Sequence, residues 1–288
     1  MNYLLHILAI MGIYCILALS LNLVVGYGGL ISLSQAAFFG IGAYAYALLL
    51  KGGIPWMLSL ILTLLFSAFF SWCMSYPLLR FRGDHFILGT IGIQLIVFDI
   101  LYNWVSLTRG PYGISEIPRF TIGGYTIRSI PQNFGIILIF LTLIWWFVYR
   151  VAHSPYGRIL KSVREDETAS QALGKHTRRV KIWAFVISGS IAAIAGALYA
   201  GYITYIDPTS FTLDESIFIL TAVLIGGSGN IRGPLVGAAV VVAVPEILRF
   251  VGLPNTIAPN VRQILYGVII LILMFWRPKG IAGEYSLE

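Results

Sequence analysis

The sequence predicts an all-α fold: a polytopic bundle of about eight to ten transmembrane helices with Gly-rich breaks. Three observations predict it. Only 11% of the 288 residues are charged and 58% are hydrophobic, whereas soluble domains carry roughly 25% charged residues. The mean hydropathy is +0.85, so one aqueous core cannot hide the apolar surface and lipid must be the solvent for most of the chain. The apolar residues also fall into nine runs, most of them near the ~20 residues that a spanning helix requires.

The first run is 4–25. It ends in the Gly-rich stretch Gly26-Tyr27-Gly28-Gly29, which leads into a second run at 31–50. The turn signal Lys51-Gly-Gly-Ile-Pro55 separates this from 56–79. A short basic loop, Arg80 to Asp84, precedes 85–105. Residues 106–131 are polar and rich in Gly and Pro, and read as a loop. A further helix covers 132–150, and 151–178 is the only long charged segment. The remaining runs are 180–204, 214–228, 233–252 and 260–276, followed by a polar tail. The whole chain, 1–288, reads as one transmembrane domain. The N-terminus lacks a basic stretch and a small-residue cleavage site, so it reads as the start of a retained helix. Cys15 and Cys73 lie inside apolar runs, as small packed thiols do.

The formal charge of +7 is concentrated by position, not spread as a nucleic-acid patch. Eight Lys/Arg lie between Arg150 and Lys181. With 151–178 placed in the cytoplasm, Arg80, Arg82, Arg232, Arg277 and Lys279 fall on the same side, thirteen of the nineteen basic residues. That agrees with the positive-inside rule and puts the C-terminus in the cytoplasm. The same parity puts the N-terminus outside, unless a re-entrant segment near 26–40 reverses it.

Several kinds of chemistry are missing. No G-x-x-x-x-G-K-[ST] phosphate loop occurs, and Gly174-Lys175-His176 lacks its frame. No His/Cys/Asp/Glu set has metal-ligand spacing and there is no nucleophile elbow, so the chain does not read as an enzyme and implies no metal. Acidic residues inside the runs are few: Asp99, Asp214, Glu215 and Glu246. Asp214 and Glu215 suit a helix start, and Glu246 stands three residues before Arg249, where an ion pair forms along a helix. This leaves little for a proton or sodium relay and points to a separate source of energy.

Within 151–178, Pro155 to Gly157 reads as a turn and Arg158 to Leu173 as one amphipathic helix ended by Gly174. Such a helix either rests on lipid headgroups or docks in a partner's groove. The acids in Arg164-Glu165-Asp166-Glu167 favour a protein partner. Small residues at Gly40, Gly42, Gly189, Ala193, Gly196, Gly201, Gly233 and Gly237 suit close helix packing. Polar residues within the apolar runs, namely Asn22, Ser32, Ser34, Gln35, Thr90 and Gln94, would be costly facing lipid and so face the bundle interior or a cavity. The glycine-rich stretch at Gly226, Gly227 and Gly229 echoes that at 26–29. Interrupted apolar segments in both halves read either as plain turns or as the broken helices of a duplicated transport fold.

Five ordered stretches resemble the LivM-type permeases, membrane subunits of ATP-binding-cassette (ABC) importers for branched-chain amino acids. They are Gly26 to Tyr44, Leu79 to Phe86, Arg109 to Ile114, Ser154 to Gly174 and Gly226 to Gly237. Ser34-Gln35 stands where a Gly-His pair is common in the family, a departure that bears on the solute and not on the fold. A urea-type branch shares most of these motifs. The resemblance implies a bacterial inner-membrane location, a second LivH-type permease, two ATPase subunits that carry the ATP, and an extracytoplasmic solute-binding protein. It also implies that Tyr156, Gly157, Arg158, Arg164, Glu165, Asp166, Glu167 and Gly174 belong to the coupling segment, with Glu165, Asp166, Glu167 and Gly174 the most exposed to an ATPase. The expected path runs past Asn22, Ser32, Ser34, Gln35, Thr90, Gln94, Gly226, Gly227 and Gly229.

Overall fold

Lipid, not water, determines which residues the helices bury. Helix α3 (Trp56–Leu78) buries Ser59, Thr63, Ser67, Ser71 and Ser75, one polar residue per turn. It exposes Met57, Leu58, Ile61, Leu65, Phe66, Phe69 and Trp72. This is the reverse of a soluble amphipathic helix. In a membrane the large apolar side chains face the acyl chains, and small hydroxyl residues let backbones approach. Ser67 Oγ donates to Gly189 O at 3.0 Å on the neighbouring helix.

The computed structural model describes residues 2–81, 83–122, 125–127, 129–250 and 267–268. Its helices are α1 (Asn2–Asn22), α2 (Gln35–Lys51), α3, α4 (Asp84–Asn103), α5 (Val105–Thr108), α6 (Ile130–His153), α7 (Pro155–Glu165), α8 (Glu167–Ala172), α9 (Thr177–Ile203), α10 (Leu213–Gly226) and α11 (Arg232–Phe250). Among the described residues five segments are long and apolar enough to cross a membrane: Tyr3–Tyr27, Trp56–Leu78, Asp84–Asn103, Ile130–His153 and Thr177–Ile203. The expected run 260–276, Arg82 and the C-terminal tail lie outside the described residues. Most of the polar loop 106–131 folds against the bundle. Ile114 pairs with Ile206, two short strands, β1 (Thr121–Ile122) and β2 (Tyr125–Thr126), pair antiparallel, and Trp56 Nε1 donates to Thr121 O at 2.5 Å.

Two of the predicted passes differ from expectation. The runs 31–50 and 214–228 are not uniform spans. After α1 the helix widens into a π turn at Leu23–Tyr27, the chain has no regular secondary structure from 29 to 34, and α2 begins only at Gln35. On the other side of the molecule α9 ends at Ile203, a 3-10 turn covers Pro208–Phe211, and α10 begins at Leu213. At 1.5 Å per residue, α10 is only about 21 Å long, short of the ~30 Å hydrocarbon core. Each break lets the chain re-enter the bundle before the helix resumes.

The centre of the bundle is a seam of small residues between α2 and α9. A Cβ on Gly42 would overlap the backbone of Ala193, and one on Gly196 would stand 2.6 Å from Ala43 N. Contact this close multiplies dispersion attraction over the whole helix pair, the driving term for helix association in lipid. Around the seam Phe38, Phe39, Phe185, Tyr199 and Phe211 pack edge to face at centroid distances of 5.0–6.2 Å.

Candidate translocation core and coupling surface

The two broken helices start at the same level. Ala36 N, in the first turn of α2, donates to Ser216 Oγ in the first turn of α10 at 2.9 Å. From there α2 runs towards Trp56 and the loop holding Phe120, and α10 runs the opposite way towards Gly26. The first half thus reads α1, break, α2, and the second half repeats it inverted as α9, break, α10. The N-terminal ends of both half-helices, with their positive dipole ends, therefore face the middle of the bundle. Arrangements of this kind serve transporters as sites for passing solutes.

The expected path residues gather around this point. Gln35 Nε2 donates to Ser20 Oγ at 2.7 Å, and its Oε1 accepts from Ser188 Oγ at 3.4 Å. Gln94 Nε2 donates to Phe211 O at 2.8 Å, and its Oε1 accepts from Ser216 at 3.1 Å. Thr90 Oγ1 accepts from Leu33 N at 3.0 Å, and Ser32 and Ser34 share a hydrogen bond of 3.0 Å. Asn22, Ser32, Ser34, Gln35, Thr90 and Gln94 are all at most 3% exposed. Ser32 and Ser34 bond each other, and the others are satisfied by neighbouring backbone and serine groups. Ser20, Ser188 and Ser216 were missed in the sequence. Each is a serine within an apolar run, and the cost of a hydroxyl facing lipid is the signal that would have found them.

Gly226, Gly227 and Gly229 sit one level further along, between α10 and α11. A Cβ on Gly226 would overlap Gly233, and one on Gly237 would overlap the carbonyl of Ala222. Gly227 and Gly229 hold φ of 100° and 83°, values that L side chains rarely adopt. Asn22 reaches across from α1 to this turn. Its Oδ1 accepts from Gly229 N at 3.1 Å and its Nδ2 donates to Asn230 O at 2.9 Å. The hydroxyl of Ser228 is buried beside them and finds no partner. Of the embedded acids, Glu215 Oε1 accepts from Tyr14 OH at 2.5 Å across to α1, and Glu246 accepts from Tyr3 OH. The pair expected between Glu246 and Arg249 falls on a side chain outside those described.

The coupling segment corrects two expectations. It is two helices, not one, and Pro155 to Gly157 is the first turn of α7 and not a separate turn. Pro155 takes the first helical position, where its missing N–H costs nothing, and Ser154 Oγ caps Gly157 N at 3.2 Å. The break comes at Asp166, whose φ of −151° leaves the helical region. Asp166 Oδ1 accepts from Ala169 N at 2.9 Å and Thr168 Oγ1 at 2.6 Å, so it caps α8 instead of continuing α7. These bonds hold its carboxyl below the usual carboxylate range. The periodicity missed this because Asp is tolerated inside helices and caps them equally well.

Arg158, Glu165, Asp166 and Gly174 are exposed, and Gly174 closes α8 with a φ of 74°. Tyr156 OH donates to Val180 O at 2.8 Å and Gly157 is buried, so both anchor the segment to the bundle. Glu167 differs from expectation. It is only 27% exposed and pairs with Lys181 at 2.8 Å, turned back towards α9. A cavity of about 520 Å³ lies behind it, between residues 28–31, 79–87 and 163–181, with Arg164, Glu167 and Lys181 in its wall.

Comparison with known proteins adds the ancestry. The family model described as "Branched-chain amino acid transport system / permease component" matches residues 3–274. The chain belongs to this permease family. It is 32% identical over 293 residues to the high-affinity branched-chain amino acid transport system permease protein LivM of Escherichia coli K12, covering 93% of this chain and 67% of that protein. It is 26% identical to the corresponding LivH of Salmonella typhimurium, over 96% of this chain and 92% of that one. It is 25% identical to the guanosine ABC transporter permease protein NupQ of Bacillus subtilis, over 85% of this chain and 82% of that one. No solved structure gives a significant match.

As a member of the branched-chain permease family, the chain is a multi-pass membrane protein and a transport permease. Three of the stretches that carried the resemblance meet in space. Gly26 to Tyr44 supplies the first broken helix, Gly226 to Gly237 supplies the turn that Asn22 holds, and Ser154 to Gly174 supplies α7 and α8.

Proposed function

We propose that this chain is one of two permease subunits of an ATP-driven importer that carries branched-chain or other neutral amino acids across the plasma membrane. Two ATPase subunits dock on the exposed side of α7 and α8, and an extracytoplasmic binding protein delivers the solute at the opposite end. The C-terminus and the α7–α8 end face the cytoplasm, in line with the basic residues there. The observation that carries this reading is the inverted pair of half-helices whose first turns meet at Ala36 and Ser216. Two positive helix ends beside Gln35 and Gln94 suit a zwitterion with a carboxylate, and the part-buried acid beside them, Glu215, is held by Tyr14. ATP drive then enters through α7 and α8, whose exposed Arg158, Glu165 and Asp166 favour a protein groove.

The test is affinity purification of the tagged chain in mild detergent, followed by uptake of labelled leucine in vesicles. Recovery of a second permease with phosphate-loop ATPases, and uptake that follows ATP and not an ion gradient, supports the reading. Recovery of the chain alone, with uptake that collapses when the ion gradient is removed, sinks it. The guanosine relative favours a second reading, a nucleoside solute in the same frame. Competition by unlabelled leucine, guanosine and urea separates the candidates.

A further inference from the structure

We infer that Arg164 is the positioning residue that ties the coupling helices to the broken first helix, so that movement of α7 is delivered to the turn at 23–29. The inference rests on the reading that α7 and α8 receive a partner's motion, and goes beyond it by naming where that motion enters the bundle.

Helix α7 has two sides. Arg158, Ser162 and Glu165 are exposed, whereas Leu160 and Val163 are buried against the bundle. Arg164 lies beside the buried side and reaches inward. Its Nη1 donates to the backbone carbonyl of Gly26. Its aliphatic stem runs along Gly29, where an added Cβ would stand 2.7 Å from Arg164 Cγ. One turn earlier, Lys161 Nζ lies 5.2 Å above the ring of Tyr27. Two cations from α7 thus converge on residues 26–29.

That stretch is where α1 widens into a π turn and stops. Carbonyls at a helix end lack their usual partners, and the dipole there favours a cation. A π turn holds one residue more than an α turn and is a common point of adjustment within a helix. The planar guanidinium grips a carbonyl in a fixed orientation, which a lysine ammonium does less well. From this turn the contact continues to the second half. Asn22, four residues before Gly26, holds Gly229 and Asn230, and a Cβ on Gly26 would stand 2.6 Å from Gly229 N. A shift of Arg164 therefore pushes on both glycine stretches together. The exposed acids meet the partner, and Arg164 faces the bundle.

The experiment uses the assembled transporter in proteoliposomes with the variants Arg164→Met and Arg164→Lys. One readout is ATP hydrolysed per solute moved. The other is thiol labelling of Ile31→Cys, in a Cys15→Ala, Cys73→Ala background, with and without ATP. Arg164→Met is expected to assemble at normal yield, to raise the ATP spent per solute about tenfold or more, in the range of known inter-site couplings, and to abolish the ATP-dependent change in labelling. Arg164→Lys recovers part of both. Normal coupling in the assembled Arg164→Met transporter overturns the inference. So does loss of assembly, because Arg164 would then be a docking residue. A parent transporter that shows no ATP-coupled uptake overturns the underlying reading before any variant is compared.

Discussion

Asn22 and Gly229, 207 positions apart in sequence, are joined by a 3.1 Å hydrogen bond from the glycine amide to the asparagine Oδ1. The same side chain donates to the next carbonyl, Asn230 O. One amide thereby pairs the end of α1 with the turn between α10 and α11, where the buried Gly229 N–H has no water to turn to. Replacement Asn22→Leu keeps the branched shape and removes both bonds, leaving the buried Gly229 N–H without its acceptor. A stranded buried group costs about 1–3 kcal/mol. The thermal midpoint of the detergent-solubilised protein is expected to fall clearly. Gly26→Ala should reproduce the defect, because its Cβ would displace the Asn22 amide.

The glycines of the α10–α11 contact should behave differently from those in open positions. Gly237→Ala drives a methyl group into the carbonyl of Ala222, a backbone atom that cannot step aside. The two helices must part, and the yield of folded protein is expected to drop. At Gly135, inside α6, an added Cβ meets nothing within 4 Å. Gly135→Ala is expected to be neutral or to stabilise by up to about 1 kcal/mol, the difference in helix propensity. Expression and thermal midpoints of the two variants check the contrast.

The cap on α8 should carry a pH signature. Folding lowers the pKa of Asp166 through the bonds from Thr168 and Ala169. A depressed carboxyl stabilises the folded cap above its unfolded pKa, and that stabilisation is lost as pH falls through the folded pKa. Hydrogen-exchange protection of the Ala169 amide, corrected for intrinsic rate, should therefore decline on the acid side. Asp166→Asn keeps an acceptor and should flatten that dependence. Asp166→Ala should leave the amide poorly protected at every pH.

Glu167 and Lys181 are expected to be coupled in stability. Their side chains are 27% and 14% exposed and 2.8 Å apart, intermediate between a free surface pair and a desolvated one. A double-mutant cycle with Glu167→Gln and Lys181→Met should return a coupling of about 1 kcal/mol, the upper end for exposed pairs. Glu165, exposed on the outer side of α7, should show no such coupling to Lys181, and Glu165→Gln should weaken retention of the partner ATPases. Thermal midpoints and co-purification measure the two effects separately.

The membrane class, the order of the apolar segments and the two Gly-rich interruptions follow from the sequence alone. Each of these is a local or compositional property. A run of about twenty apolar residues has no aqueous alternative, and glycines interrupt a helix wherever they cluster. The polar residues of the core were legible for the same reason, since Gln35 or Gln94 facing lipid would be costly. Their partners were not. Whether Gln35 meets Ser20 and Ser188, or Asn22 meets Gly229, depends on how α1, α9 and α10 cross, and nothing within one segment encodes that distance. The coupling segment shows the same division. Its charges announced a helix at the end of the bundle. Only the fold decided that Asp166 caps a second helix, that Glu167 turns back to Lys181, and that Arg164 reaches into the bundle to Gly26. Sequence periodicity says which residues share a face of one helix, and only tertiary packing decides what that face meets.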